Sequence, residues 1–423
     1  MIPFHEALAH VVDRCAPLAP RPVPADAAVG LVLAGDVVAT EAVPPFANTA
    51  MDGYALHASD TSAAPVTLPV VAEVAAGHPA ERPLRPGEAM RIFTGAPLPD
   101  GADAVVMVER TERLDGGHAV RVDVVVEPGT HLRAVGEDMQ AGEVVFGAGD
   151  EVTPARRGVL ASLGVAEILA HPRPRVGVIS TGDELVAGPE PLQPGQIRDS
   201  NRPTLLALVA QAGFEPVDLG HVPDDEPAIT AALEQGAATC DAVLSTGGVS
   251  MGDIDLVRVV LDRIGDMRWM QVAIRPAKPL AFGLVTARGP AGDPRVVPVF
   301  GLPGNPVSSM VSFALFARPG LRRLAGHPDE RLHLPRLRAE AGEPFRRGPD
   351  GKIHFVRAVV TADPGAAGGL RAVSSGGQGS HQLAAMARAD GLVVLPDGDG
   401  AAQGDPVEVV LLGEPATAAA TVG

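Results

Sequence analysis

The residues best suited to chemistry in this sequence lie in three glycine turns, each of which follows a Val-rich apolar run. Glycine lets the backbone approach a ligand closely, and the start of a following helix offers unpaired N–H groups to a phosphate. Serine and threonine hydroxyls add further donors. The first turn, in VISTGDEL, contains Ser180, Thr181, Gly182, Asp183 and Glu184; the second, in VLSTGGVSMGDID, contains Gly247, Gly248, Ser250 and Asp255; the third, in VFGLPGNPVSS, contains Gly301, Pro303, Gly304 and Asn305.

Acidic residues stand in two of these turns, namely Asp183 with Glu184, and Asp255. Mg²⁺ takes oxygen ligands from one or two carboxylates and from substrate phosphates, so acids beside a phosphate cradle indicate magnesium. Each motif alone also fits ordinary turn chemistry, and Asp183 with Glu184 fits a solvated helix start. Three such turns together favour a nucleotide or pyrophosphate ligand with magnesium.

Two cations are held three residues apart in the segment AIRPAKPLAFG. Arg275 and Lys278 are each followed by a proline, which restricts the backbone and fixes the directions of the two side chains. Cations of this kind, together with hydroxyl donors, suit a tetrahedral oxyanion. The alternative is that they are two surface charges at the end of a strand.

Two earlier loops carry weaker patterns. Asp52 precedes Gly53 in ANTAMDGYALH, and this pair is either a hairpin turn or a tight loop that projects a carboxylate. Thr94 and Gly95 lie in RIFTGAPLPDGADAVVMVE, which fits a strand, a turn and another strand. The sequence contains neither a GxGxxG motif nor a P-loop, and its twelve histidines are scattered without metal-ligand spacing.

The three glycine turns require a sheet to bring them together. Between residues 172 and 325, buried-type strands alternate with helices, which predicts a doubly wound, largely parallel sheet. Ligands of such sheets bind beyond the carboxyl ends of the strands, so we expect all three turns at one edge. Asn305 is a natural N-cap, with Pro306 as the first helical residue.

The regions on either side read as β structure. Short Val-rich runs broken by Pro and Gly fill residues 25–170, and Thr153 with Pro154 predicts the start of a helix there. Residues 332–413 return to short strands. The fold class expected is therefore multidomain α/β plus β, with mostly β N-terminal modules and a small β C-terminal domain.

Composition excludes several classes of function. The 423 residues carry a net charge of -17 without a basic run, which argues against binding of nucleic acid. Two isolated cysteines, Cys15 and Cys240, favour a reducing compartment and hence the cytoplasm. The first residues do not form a signal peptide, and no apolar run approaches the roughly 20 residues that span a bilayer.

Nine strings in order between residues 47 and 396 resemble the molybdopterin molybdenumtransferase family, which comprises the bacterial MoeA proteins and the E domain of gephyrin. Any one string is weakly specific, whereas all nine in family order are highly specific. They are ANTAMDGYA, RIFTGAPLPDGADAVVMVE, LRAVGEDMQAGE, VISTGDEL, GQIRDSNR, LSTGGVSMGDID, IRPAKPLAFG, GLPGNPVSS and GGQGSHQLAAMARADGLVVLP.

The resemblance implies four domains and a homodimer whose active-site cleft is shared between subunits. The central α/β domain would resemble the molybdopterin adenylyltransferase fold, and the loops of Asp52 and Thr94 would face the partner's central domain. The domains are expected at residues 1–54 plus 140–171, an inserted β domain at 55–139, the central domain at 172–328 and a β domain at 329–415.

The resemblance also implies a reaction, in which adenylated molybdopterin and molybdate give molybdenum cofactor and AMP with Mg²⁺. Further partners implied are the adenylyltransferase and the apo-molybdoenzymes. The nucleotide and pyrophosphate would be held by Gly247, Gly248, Ser250, Gly304 and Asn305; magnesium by Asp183, Glu184 and Asp255, with Asp52 across the cleft; and molybdate by Arg275, Lys278, Ser308, Arg357 and Ser380.

The chain departs from the family at the cationic segment, where the family usually has Lys-Pro-Gly-Lys-Pro. Here Arg275 replaces the first lysine and Ala277 replaces the glycine. Arginine keeps the charge but has a planar fork, so the oxyanion affinity is expected to differ. Two other functions are considered: the adenylyltransferase step itself, which typically carries GGTG in place of the second turn, and a gephyrin-like scaffold that binds proteins.

Overall fold

The computed structural model describes residues 1–248, 256–289, 291–366 and 368–413. The helices are α1 (Phe4–Asp13), α2 (Pro154–Ser162), α3 (Asn201–Gln211), α4 (Glu226–Thr239), α5 (Leu256–Ile264), α6 (Pro306–Ser312), α7 (Arg318–Leu324) and α8 (Leu383–Met386). The strands are β1 (Arg21–Pro24), β2 (Val32–Leu33), β3 (Val37–Val38), β4 (Asn48–Thr49), β5 (Gly53–Leu56), β6 (Val66–Val74), β7 (Ala89–Ile92), β8 (Ala104–Met107), β9 (Thr111–Leu114), β10 (Ala119–Val122), β11 (Leu132–Arg133), β12 (Val144–Phe146), β13 (Glu167–His171), β14 (Arg175–Thr181), β15 (Leu185–Val186), β16 (Ile197–Arg198), β17 (Glu215–Val222), β18 (Ala242–Thr246), β19 (Gly265–Gln271), β20 (Ile274–Arg275), β21 (Pro279–Arg288), β22 (Pro294–Leu302), β23 (Arg336–Ala341), β24 (Phe345–Arg346), β25 (Ile353–Ala362), β26 (Leu370–Ser374), β27 (Gly391–Leu395), β28 (Gly400–Ala401) and β29 (Pro406–Leu411).

The chain forms two compact units. Unit 1 contains Met1–Arg21, Gly30–Ala34 and the residues from Leu169 onwards, and unit 2 contains Pro22–Val29 and Gly35–Ile168. The chain therefore passes from one unit to the other four times.

A six-stranded sheet organises unit 1, with the strand order β17-β14-β18-β22-β21-β19. The first four strands are parallel, whereas β21 and β19 are antiparallel to their neighbours. The parallel strands are rich in valine, as expected for strands buried on both faces. Helices α3 and α6 pack in one apolar cluster against this sheet, and α4 and α5 pack in another. The doubly wound fold is confirmed, with an antiparallel edge added.

Helix α1 depends on residues that come much later in the chain. Its Ala7 and Val11 are fully buried in the same cluster as α3, α6 and α7. The ring of Phe4 lies 5.4 Å from the ring of Phe316. The backbone N–H of Ile2 donates to the carbonyl of Gln271 at 2.8 Å. The first helix is thus an integral part of the core of unit 1.

The last strands of unit 1 form a second sheet with the order β20-β25-β26-β23-β29-β27. An additional pairing between β27 and β25 closes five of these strands into a small barrel. Alanines and valines fill its interior, which is the packing that a narrow barrel requires. The predicted β structure of the C-terminal region is confirmed.

Unit 2 is mostly β structure, as predicted. Its largest sheet has the order β8-β5-β7-β6-β10-β9. Helix α2 begins after Thr153, whose side chain accepts the N–H of Arg156 at 3.3 Å, so the predicted N-cap is present. No helix among the described residues of either unit is long and apolar enough to cross a membrane.

Candidate functional site

The three glycine turns meet at one edge of the large sheet in unit 1. Strands β14, β18 and β22 are parallel neighbours, and they end at Thr181, Thr246 and Leu302. Ser180 lies opposite Thr246, which in turn lies opposite Leu302. The expectation that parallel strand ends would gather these turns is confirmed.

The glycines of these turns adopt a backbone that other residues rarely use. Gly182, Gly247 and Gly248 have φ of +139°, +93° and +67°. A Cβ on Gly247 would lie 2.9 Å from the carbonyl oxygen of Thr181, which is too close for any other residue. A Cβ on Gly304 would lie 3.6 Å from the Cα of Gly247, so the second and third turns are in contact. Glycine here allows both the turn and the close approach of backbone to backbone.

Two of the predicted site residues, Gly301 and Ser180, are buried and bonded to other parts of the protein. Gly301 lies inside β22, where it is buried between Ser245 and Ala281 of the neighbouring strands, so it does not belong to the turn as expected. The strand continues to Leu302 because the ladder to β18 extends one residue beyond Gly301. Ser180 is fully buried, and its hydroxyl donates to the Asp199 carboxylate at 2.6 Å. Thr181 and Pro303 are also buried.

The segment that precedes and begins α3 contacts all three turns. Asp199 receives the Ser180 hydroxyl of the first turn. The side-chain amide of Asn201 donates to the Thr246 hydroxyl at 2.8 Å and to the Gly304 carbonyl at 2.7 Å. From the sequence, this stretch, GQIRDSNR, is recognisable only through the family resemblance, because a polar run before a helix does not indicate long-range contacts.

The acidic residues of the first turn are exposed at the same edge. One Asp183 oxygen accepts the backbone N–H of Asp224 at 3.0 Å. The Glu184 carboxylate folds over Gly182, with its oxygens 2.5 and 2.9 Å from where a Cβ would stand. The part of the chain that the structure describes contains no group of three His, Cys, Asp or Glu side chains that could hold a metal. Two carboxylates nevertheless fit Mg²⁺, which keeps several waters and takes substrate oxygens. Ser250 and Asp255 lie outside the described residues.

The cationic segment lies between the two sheets of unit 1. Arg275 belongs to β20, which pairs with β25 of the barrel, and Lys278 immediately precedes β21. Both side chains are exposed. Arg275 lines a cavity of about 500 Å³ together with Gln378, a residue of the loop before α8. Ala277, which replaces the usual glycine, has φ of +72° and is 2% exposed, so its methyl group packs in the core.

Arg357 is fully buried in the barrel. Its Nη2 donates to the carbonyls of Gly377 and Gly379, at 2.5 and 3.2 Å, but Nε and Nη1 have no partner among the described residues. Burial lowers the pKa of the Arg357 guanidinium. Next to this loop, the carbonyl of Ser380 accepts a hydrogen bond at 3.1 Å from the backbone N–H of Val307, the residue before Ser308. The structure thus gathers Arg357, Ser380 and Ser308, with Arg275 on the cavity that borders the same loop.

Asp52 lies in unit 2 on an exposed loop. Strand β4 pairs with β11, and β5 pairs with β7 and β8, so the loop between them is not a hairpin. One Asp52 oxygen accepts both the backbone N–H of Thr94, at 2.8 Å, and its hydroxyl, at 2.7 Å. These two bonds lower the pKa of Asp52. Gly95 follows with φ of +80°, and its N–H donates to the Thr49 carbonyl.

Comparison with known proteins decides what this arrangement belongs to. Three family models match in order along the chain. They are described as the MoeA N-terminal region at residues 2–164, a probable molybdopterin binding domain at 177–323 and the MoeA C-terminal region at 338–412. A molybdopterin molybdenumtransferase 2 of Mycobacterium tuberculosis is 42% identical over 402 residues, which are 92% of this chain and 93% of the relative.

The chain belongs to the molybdopterin molybdenumtransferase family. It is therefore an enzyme, a transferase of molybdenum cofactor biosynthesis. The molybdopterin molybdenumtransferase of Haemophilus influenzae is 35% identical, with 87% of each chain covered. The molybdopterin biosynthesis MoeA protein of Pyrococcus horikoshii has a similar structure, with a TM-score of 0.78, 30% identity, and coverage of 97% of this chain and 100% of that chain.

Proposed function

We propose that this transferase inserts molybdate into adenylated molybdopterin and releases AMP, with Mg²⁺ at the site. The observation that carries the proposal is the convergence of the three glycine turns at the carboxyl ends of β14, β18 and β22. Glycine backbone at such an edge suits a pyrophosphate. The cations nearby suit an oxyanion. One unit thus presents groups for both proposed substrates.

The nucleotide and pyrophosphate would lie against the second and third turns. Gly247 and Gly304 are in contact, and a side chain on Gly247 would strike backbone. Glycine thus lets these turns pack closely together, and we place the ligand against the main chain that they present. The residues proposed for this role are Gly247, Gly248, Ser250, Gly304 and Asn305, with Thr181, Gly182 and Pro303 beside them.

Molybdate would bind to the cations and hydroxyls around the loop before α8. The Nε and Nη1 groups of Arg357 lack protein partners among the described residues, so they are available to an anion. Ser308 and Ser380 lie at the adjoining helix start. Arg275 and Lys278 would supply further positive charge. Each of these donors suits the oxygens of a tetrahedral anion.

The acids would hold and orient the reacting groups. Asp183 and Glu184 are exposed at the edge of the three turns, and with Asp255 they are the proposed magnesium ligands. When bound, Mg²⁺ would neutralise charge on the pyrophosphate. Asp52 would contribute from the other subunit of a homodimer. The two bonds from Thr94 keep its carboxylate ionised and fix its direction.

The reaction would rest on positioning and fixed charge. Water would attack phosphorus in the pyrophosphate and break one P–O bond of the P–O–P bridge, which gives AMP and the pterin phosphate. The dithiolene sulfurs would bind molybdenum without an enzyme nucleophile, and oxygen displaced from molybdate would leave as water with the protons of the thiols. Preorganised charge and proximity supply the rate in such a site. We place the enzyme in the cytoplasm, between the adenylyltransferase that makes its substrate and the apo-molybdoenzymes that take its product.

The test is AMP release by the purified protein supplied with adenylated molybdopterin and Mg²⁺, with and without molybdate. We expect AMP that depends on molybdate, and a product that activates an apo-molybdoenzyme. Asp52→Ala and Asp255→Ala should both slow AMP release. Asp266→Asn is the matched control, since this exposed carboxylate pairs with Arg14 at the other end of β19 from Gln271. Wild-type rates in both alanine variants would refute the role of the acids, and formation of adenylated pterin from ATP would assign the adenylyltransferase step instead.

A further inference from the structure

The three glycine turns begin where the hydrogen-bonded ladder of the large sheet ends. The sheet ladder ends at Thr181, Thr246 and Leu302. Beyond those residues the chain continues through Gly182, Gly247 and Gly248, which are conformationally permissive. The ladder alone therefore does not set the spacing between the N–H groups of one turn and those of the next.

Residues 199–202 add side-chain bonds at the strand ends, beside direct links such as that from the Gly247 N–H to the Leu302 carbonyl at 3.3 Å. Asp199 accepts the Ser180 hydroxyl and so is bonded to the end of β14, two residues before Gly182. Asn201 uses both hydrogens of its amide, one on Thr246 and one on the Gly304 carbonyl, and so joins the second turn to the third. The Thr246 hydroxyl extends this link to the Pro303 carbonyl at 3.4 Å. Four residues of one segment thus reach three separate strand ends.

The segment is itself anchored. The Asp199 side chain is 1% exposed, and it accepts the backbone N–H and the Nε of Arg202, both at 3.1 Å. Arg202 also donates to Asp218 of β17 at 2.7 Å. The buried carboxylate is therefore neutralised and held by several bonds, as a buried charge requires. Through these bonds, β17 and the start of α3 hold Asp199 in place beside the turns.

We propose that Asp199 and Asn201 are positioning residues, which fix the spacing of the three glycine turns that bind the pyrophosphate. The identity of the ligand rests on the proposed function, whereas the bonds that connect the segment to the turns are seen in the structure. Both residues would act through the protein groups that they bond, and not on the reacting atoms themselves. A misplacement of about 1 Å away from the chemistry can cost on the order of 100-fold in rate, so loosening these bonds should lower catalysis without unfolding the protein.

Variants of equal size test this. Asn201→Asp removes both amide donors and places a carboxylate against the Gly304 carbonyl. Thr246→Val removes the hydroxyl between them, whereas Thr246→Ser keeps it. We expect the first two to lose about 10-fold or more in kcat/KM, and the serine variant to stay near wild type. Their combination should lose little more than either alone, because both break the same link.

The matched control is Thr239→Val. Its hydroxyl donates to the Gln235 carbonyl within α4 and lies 3.7 Å from the sulfur of the adjacent Cys240, away from the turns. We expect Asn201→Asp and Thr246→Val to change Tm no more than this control does. Losses of kcat/KM that follow Tm in the same proportion as the control would make the role merely structural, and would overturn the inference.

Amide hydrogen exchange separates this inference from the proposed function. In Asn201→Asp, peptides covering 242–248 and 301–307 should both exchange faster, while a peptide from α4 stays unchanged. AMP binding by calorimetry should weaken about 10-fold in the same variant. A wild-type protein without molybdate-dependent AMP release would refute the proposed function but leave these two measurements informative. Unchanged exchange at either turn would overturn the positioning role.

Discussion

Because the guanidinium of Arg357 is fully buried, we predict that removing it stabilises the ligand-free protein: Arg357→Met should raise its Tm. Two nitrogen groups of this side chain have no partner among the described residues. Burial lowers the pKa of Arg357, and no carboxylate contributes to the shift. A buried charge without a counter-charge costs several kcal/mol, even after relaxation of the protein.

The size of the effect follows from what is lost and gained. Methionine retains most of the apolar packing, since it is long and unbranched. The two carbonyls that lose the guanidinium belong to Gly377, which is exposed, and Gly379, which is half-buried, so water can replace the bonds. Relief of the charge should then dominate by about 2 kcal/mol, which corresponds to roughly 3 °C in Tm for a unit of this size.

Differential scanning calorimetry measures the change, and Arg347→Met is the matched control. The side chain of Arg347 is also buried, at 2% exposure, but it bonds to Asp350, Asp397 and four carbonyls. Its replacement leaves those partners without their hydrogen bonds, so the Tm should fall. In addition, molybdate at about 100 times its Kd should stabilise the wild type by about 2.7 kcal/mol and the Arg357→Met variant by little. If both arginine variants lowered Tm alike, the reasoning about the uncompensated charge would be wrong.

Three further predictions concern single side chains. Thr94→Val removes one of the two hydrogen bonds that lower the pKa of Asp52, so this pKa should rise in the variant. An aspartate becomes protonated as the pH falls through its pKa, so the acidic limb of the activity profile should move to higher pH. Gly247→Ala must displace its turn, so AMP affinity measured by calorimetry should fall by about 10-fold. Asn305→Ala should cost less than about 0.5 kcal/mol in urea denaturation, against about 1 kcal/mol for an ordinary cap, since the Asn305 side chain makes no cap bond.

The architecture was largely predictable because the relevant signals are local. Proline near the start and glycine at the end predicted α3, acidic residues in the first turn predicted α4, and Thr153 predicted the start of α2. The direction of β19 and β21 was not predictable, because a short apolar strand reads the same whether its neighbour runs parallel or antiparallel. The extension of β22 past Gly301 depended on pairing with β18, which lies more than 50 residues earlier.

The site was predictable in outline but not in its supports. Parallel strand ends must share an edge, so the meeting of the three turns followed from the strand order. The bonds of Asn201 to Thr246 and Gly304 join residues 45 and 103 positions apart, and no sequence period encodes them. Arg357 was identified only through resemblance, since arginine is rarely buried and no local pattern indicates that it would be.

The packing of α1 has a consequence for synthesis on the ribosome. The helix is made first, yet the ring that covers Phe4 belongs to Phe316, which follows about 300 residues later. At 5–20 residues per second, the nascent helix waits roughly 15–60 s with its apolar face uncovered. Unit 2 is complete at residue 168 and is free to fold during that delay. Nascent chains of this protein should therefore need a chaperone to cover helix α1, and not to protect the β structure of unit 2 that emerges next.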